Sequence, residues 1–111
     1  MSTDINKALL RQLFVEIGRG DFTNAEQHPG MREALPHLKL MGEARPNSQV
    51  EIVQQLADGD WVATRIWVSG VLAKDFAGAP AGTSYKSETI LMQRVVDGKI
   101  VEHHSQAGRI G

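Results

Sequence analysis

The chain has no cysteine. Disulfides, thiolate nucleophiles and cysteine-bound zinc are excluded together, and the absence is compatible with a cytoplasmic setting. Aromatic residues make up only 5%, and basic and aromatic side chains are not interleaved as they are in grooves that track single-stranded nucleic acid. Neither sign of charge dominates. Twelve Lys and Arg stand against 13 Asp and Glu, for a formal charge of -1, and they are scattered rather than blocked. A global field that would gather nucleic acid or an anionic membrane is therefore missing. No apolar run reaches the length of a membrane span, and no charged start, apolar core and cleavage site marks a secretory signal. There is no Gly-x-Ser-x-Gly elbow, and the glycines at Gly78 and Gly82 are too sparse to cradle phosphate. The four histidines have no metal-ligand spacing, so no metal is expected.

What is present reads as helices followed by a sheet. With 111 residues and 41% hydrophobic content, residues 1–111 are expected to form one domain able to bury a core. Val96-Asp97-Gly98-Lys99 sets an Asp-Gly pair between β-branched residues, the strongest short-range hairpin signal. It joins strands predicted over Tyr85–Val96 and Lys99–Gln106. Another Asp-Gly pair, Asp58-Gly59, turns a strand carrying Val50, Ile52 and Leu56 on one face back into a strand over Trp61–Leu72. In that third segment Val62, Thr64, Ile66 and Val68 share one side, with Trp61, Ala63, Arg65 and Trp67 on the other. Both sides are apolar enough to be packed. Plain alternation along the last strand groups Ile100, Glu102, His104 and Gln106 against Val101, His103, Ser105 and Ala107. Residues 74–83, with Gly78, Pro80 and Gly82, read as a loop.

Upstream, Ile5, Leu9, Leu13 and Ile17 recur every four residues, widened by Leu10 and Phe14. This is an amphipathic helix, with Asp4 as the expected N-cap and Gly18 as its stop. A single turn is expected near Asn24. Met31, Ala34, Leu35, Leu38 and Met41 then resume a helical spacing, and Pro36 within it predicts a kink or two short helices. Residues 43–48 read as a linker. The order predicts an α+β domain, with N-terminal helices packed on a strongly curved, mainly antiparallel four-stranded sheet that forms a shortened cone. Its hollow would hold a small site. Its outer side, with Ile66, Val68 or Met92, would form the contact of a homodimer.

Three strings carry a likeness: Gly59-Asp60-Trp61-Val62-Ala63-Thr64-Arg65, Phe76-Ala77-Gly78-Ala79-Pro80-Ala81-Gly82 and Asp97-Gly98-Lys99-Ile100-Val101-Glu102-His103. Together with the opening helix and Gly18-Arg19-Gly20-Asp21-Phe22, they resemble the SnoaL-like polyketide cyclase family. That family lies within the cone-shaped α+β barrels typified by nuclear transport factor two. The resemblance covers nearly the whole chain and rests mostly on the order of the motifs. It implies a dimeric cone with a hydrophobic pocket, acid-base residues beside it, and no metal or organic cofactor. In the best-known members it implies intramolecular aldol cyclisation of a polyketide methyl ester. Two departures stand out. After Phe22 the family's helix and short strand are abbreviated to Pro29-Gly30-Met31-Arg32, with His28 as the only remnant, so one wall is left open or closed by a partner subunit. The family's Glu-His-Trp-Asp becomes Glu102-His103-His104-Ser105, and serine is neither an acid nor a base near neutral pH.

Consecutive residues of a strand point to opposite sides, so only one of His103 and His104 faces the hollow. Either suits proton transfer, since an imidazole ordinarily titrates at about 6.5. Glu88 or Glu102 would orient the active histidine, and Arg65 or Tyr85 would stabilise an oxyanion. Trp61 and Trp67 offer an apolar wall for a flat ligand, and Ser105 a polar contact. Each has a plainer alternative: an exposed histidine pair, an Arg65 ion pair with Glu88 or Glu102, tryptophans packed in a core, Tyr85 at a subunit contact. The expected activity is a cofactor-free cyclase, isomerase or lyase acting by proton transfer on a small hydrophobic carbonyl compound. The alternative is a non-catalytic module that binds a small molecule or serves as a dimeric scaffold.

Overall fold

The computed structural model describes residues 3–110. Helix α1 spans Thr3–Gly18, two single 3-10 turns follow at Ala25–Gln27 and Pro29–Met31, and helix α2 spans Leu35–Ala44. Strands β1 (Gln49–Asp58), β2 (Trp61–Val71), β3 (Ser84–Val96) and β4 (Lys99–Ile110) complete the chain. They form one antiparallel sheet in the order β1-β2-β3-β4. The α+β class expected from the sequence is the observed one. No helix among the described residues is long and apolar enough to cross a membrane.

Turn chemistry sets the meander. The β1–β2 turn has Gly59 at φ 58°, and the β3–β4 turn has Asp97 and Gly98 at φ 52° and 75°. Left-handed residues in two-residue loops match the twist of the strands they join, and Gly and Asp tolerate that conformation. Pro36 is accommodated in the first turn of α2, where a proline's missing amide costs nothing. The interrupted pattern thus becomes a 3-10 turn and a separate helix. Helix α1 begins at Thr3, so Asp4 lies inside its first turn rather than capping it.

Leu10, Leu13 and Phe14 of α1 pack on Val62, Ile66, Leu91, Val95 and Ile100 of the sheet, with Ala25 and Met31 closing one end. Ile66 and Val68 therefore face the helices, and only Met92 of the three residues expected outside is exposed there, at 44%. Two bulges account for the other departures from plain alternation. In β1, Ile52 pairs with Ile66 but Gln54 with Arg65, leaving Val53 as the extra residue. In β4, Glu102 pairs with Arg94 but Ile100 with Val95, leaving Val101 extra. A bulge shifts every side chain beyond it to the opposite face and bends its strand. Leu56 is accordingly turned out, 62% exposed, while Ile100 is turned into the core at 0%. The second 3-10 turn presses on the β4 bulge so closely that a Cβ on Gly30 would stand 2.6 Å from the Val101 carbonyl carbon.

Candidate functional site

A cavity of about 320 Å³ lies between α1, α2 and the inner face of the sheet. Its apolar walls include Phe14 and Ile17 from α1, Leu38 and Met41 from α2, and Ile66, Val68 and Leu91 from the sheet. Its polar side chains are His37, Arg45, Ser48, Thr89, His103 and Ser105, with no carboxylate among them. No residue from 19 to 36 contributes to the lining. Helix α2 contributes His37, Leu38, Met41 and Gly42 to the lining, and its only fully buried residue is Ala44.

Register decides which histidine looks inward. His103 pairs with Gln93, which in turn pairs with Val62, and all three share the inner face. The Gln93 side chain is fully buried, and its Nε2 lies 2.9 Å from His103 Nδ1. An amide nitrogen only donates, so in this arrangement Nδ1 accepts and the neutral ring carries its proton on Nε2. Nε2 of His103 makes no hydrogen bond to a described residue, and Gln93 Oε1 is buried without a partner. Burial pushes the His103 pKa below the ordinary imidazole range, and the neighbouring His104 lowers it further. Removing a charged imidazole from water is unfavourable, so the ring stays uncharged near neutral pH.

A second polar group sits at the end of α2. Arg45 is the residue on which that helix stops, and its amide donates to the Met41 carbonyl at 2.9 Å. Its guanidinium lies 4.4 Å from the Tyr85 ring centre and 5.4 Å from that of Phe76. The Tyr85 hydroxyl shares a 2.5 Å hydrogen bond with Ser48 Oγ. Tyr85 thus belongs to the inner face and supports Arg45.

The remaining candidates stand on the other side of the sheet. Arg65 donates to Glu88 at 3.1 Å, with the Glu88 side chain only 7% exposed and that of Arg65 38%. This is the ion-pair alternative foreseen for Arg65. Glu102 meets His104 at 3.3 Å, and the His104 ring lies 6.1 Å from that of Trp61. Lys86 stands 5.1 Å from the centre of the Trp67 ring. Glu88, Glu102, His104, Arg65, Trp61 and Trp67 therefore form an outer group, separated by the sheet from His103, Ser105 and Tyr85. The orienting partner of His103 is Gln93 rather than a glutamate. Its signal in the sequence was parity alone: Gln93 is a polar residue on the same face as Leu91 and Val95. Arg45 had no such signal, since it falls in a stretch that reads as a linker. Among the described residues no group of three or more His, Asp and Glu side chains could hold a metal ion.

Helices roofing one face of a four-stranded meander, with a small hollow between them, define the class of cone-shaped α+β domains. Solved structures superpose on it throughout. AclR of Streptomyces galilaeus, a candidate hydroxylase, has a TM-score of 0.86 at 26% identity, with 96% of this chain and 77% of that one covered. IdmH of Streptomyces antibioticus, a candidate polyketide cyclase, has a TM-score of 0.77 at 22% identity, covering 91% and 90%. A candidate polyketide cyclase from Acidithiobacillus ferrooxidans has 0.81 at 19%, covering 98% and 92%. The last two likenesses speak to the fold alone. No curated protein matches the chain. The chain belongs to the SnoaL-like polyketide cyclase family, whose family model matches residues 8–111.

Proposed function

We propose that the chain is a cofactor-free cyclase, isomerase or lyase that moves a proton on a small hydrophobic carbonyl compound held in the cavity. One observation carries this reading: an uncharged imidazole, His103, lines a largely apolar hollow with Nδ1 held by Gln93 and Nε2 unengaged. With the Gln93 amide turned so that Nδ1 carries the ring proton, the bare Nε2 takes a proton from the carbon beside the carbonyl, and the imidazolium returns it to another atom of the same molecule. The Thr89 and Ser105 hydroxyls, both in the lining, supply donors for the intermediate enolate oxygen. This cycle keeps a proton on Nδ1 throughout. Gln93 then presents Oε1 to it, by a half-turn of the amide that exchanges donor for acceptor.

The test is deuterium exchange at the acidic carbon of hydrophobic β-keto esters, followed by NMR. The wild type accelerates exchange, His103→Asn abolishes the acceleration, and His104→Asn keeps it. Because the working form is neutral and its pKa is lowered, the rate holds below pH ~6.5 and falls only on a more acid limb. Equal exchange by the wild type and His103→Asn would rule the reading out. A second reading, binding without turnover, is favoured by Ser105 standing where the family carries a carboxylate. Saturable binding with no exchange is its signature.

We also propose the outer face as a homodimer contact. Leu56 and Met92 lie there in one cross-strand row, 62% and 44% exposed, with Ile90 nearby at 47%. Sedimentation should give a dimer for the wild type and a monomer for Met92→Lys. A wild-type monomer at high concentration would count against it.

A further inference from the structure

We infer that Arg45 is an anion anchor, so that the cavity binds a hydrophobic carboxylate in preference to its ester. The inference rests on the cavity being a ligand site, as read above, and adds the class of ligand. Arg45 lines the cavity. Its Nε is buried and has no hydrogen-bond partner, and no described carboxylate pairs with its guanidinium. The acidic residues closest to it in sequence and in the facing loop are engaged elsewhere. Glu43 pairs with Lys74 at 3.2 Å, and Asp75 accepts the Ala81 amide at 2.9 Å.

A half-buried guanidinium whose Nε is shielded from water and left without a partner is unfavourable. The Tyr85 and Phe76 rings offset part of that cost through their π faces, but they fill none of the in-plane donor positions. Those donors form a planar fork that matches a carboxylate two bonds at a time. The fork is also held in place. Ala73 donates to the Ala44 carbonyl at 2.8 Å, Ser48 Oγ reaches the Arg45 carbonyl at 3.5 Å, and the two rings fix the side chain. A lining that holds an arginine and no carboxylate favours an anionic group over its neutral ester throughout.

The experiment compares 2-naphthoate with methyl 2-naphthoate, two probes of the same apolar body, by titration at low salt. The wild type binds the acid at least about tenfold more tightly, the size expected of charge-assisted hydrogen bonds. The preference falls to about one in Arg45→Met and survives in part in Arg45→Lys, which keeps the charge but loses the fork. Arg45→Gln, checked for folding by far-UV circular dichroism, serves as a second neutral variant. Equal affinities in the wild type, a preference that survives both neutral variants, or failure to bind either probe would overturn the anchor. Acid preference without any deuterium exchange would sink the proton-transfer reading and leave the anchor standing. Exchange without acid preference would do the reverse.

Discussion

His28 offers the sharpest test of how the sheet is held to the helical segment. It is 7% exposed, and its Nδ1 accepts the Ile100 amide at 3.0 Å across 72 residues of sequence. That amide is at the start of β4, directly before the bulge, and Ile100 itself is in the core. His28→Leu keeps an apolar side chain in place but leaves the amide buried without an acceptor, which costs about 2 kcal/mol. In a domain of this size the loss lowers Tm by roughly 8–12 °C. His28→Asn puts a carbonyl oxygen close to where Nδ1 stood, and should recover more than half of the difference. Burial is the main cause that pushes the His28 pKa below the ordinary range, with Lys99 adding to it. The unfolded chain therefore binds more protons than the folded one below pH ~6.5. The His28 contribution is complete above that pH and is lost as pH falls toward the folded value, at no more than ~1.4 kcal/mol per pH unit. His103 is shifted in the same direction, so the measurement is the difference between wild type and His28→Asn. Urea unfolding at several pH values gives it. Equal stability of the Leu and Asn variants, or a wild-type-minus-Asn difference that stays flat across the window, would refute the role assigned to this hydrogen bond.

Three further outcomes follow from the packing. Gly30→Ala drives a Cβ into the backbone at Val101 and Glu102, at 2.6 and 2.7 Å, and should cost about 3 kcal/mol, read from the urea midpoint, because backbone cannot step aside as a flexible side chain can. Arg65→Met removes the ion-pair partner that Glu88, with a side chain only 7% exposed, has in Arg65. A loss of about 2 kcal/mol is expected, less than for a fully buried pair because the guanidinium is 38% exposed, and the Arg65→Met, Glu88→Leu double variant should regain most of it in thermal unfolding. Deleting Val53 makes the ladder regular and keeps Gln55 opposite Thr64, with its hydrogen bonds to the Lys7 carbonyl and Thr64 Oγ1, both 3.2 Å, but it removes the bend the bulge gives β1; a shallower, less cooperative melt is expected, and an unchanged melt would count against the bulge.

The meander was legible because its information is local. Asp58-Gly59 and Asp97-Gly98 specify turns by backbone conformation alone, and the two sides of β2 follow from strict alternation between them. Leu56 and Ile100 were misplaced for one shared reason. Val53 and Val101 are ordinary β-branched strand residues, and nothing in their chemistry announces a bulge, which is fixed by bending the sheet around the helices. The site was half legible. The histidine pair could be found, and alternation said that one of the two looks inward, but the choice needed the pairing of His103 with Gln93. Glu88 and Glu102 were natural orienting partners by residue type and were placed on the outer side by register. Arg45 could not be read at all. Its surroundings come from Phe76 and Tyr85, 31 and 40 positions away, which a linear pattern does not bring together.

His103 and His104 occupy neighbouring positions on a barrier one strand thick. Such a barrier keeps solvent and ligand apart but insulates poorly against charge: an imidazolium outside, at His104, makes one inside, at His103, less favourable. Whatever settles over the exterior surface and changes the proton occupancy there is consequently felt by the residue in the hollow, without any atom needing to move.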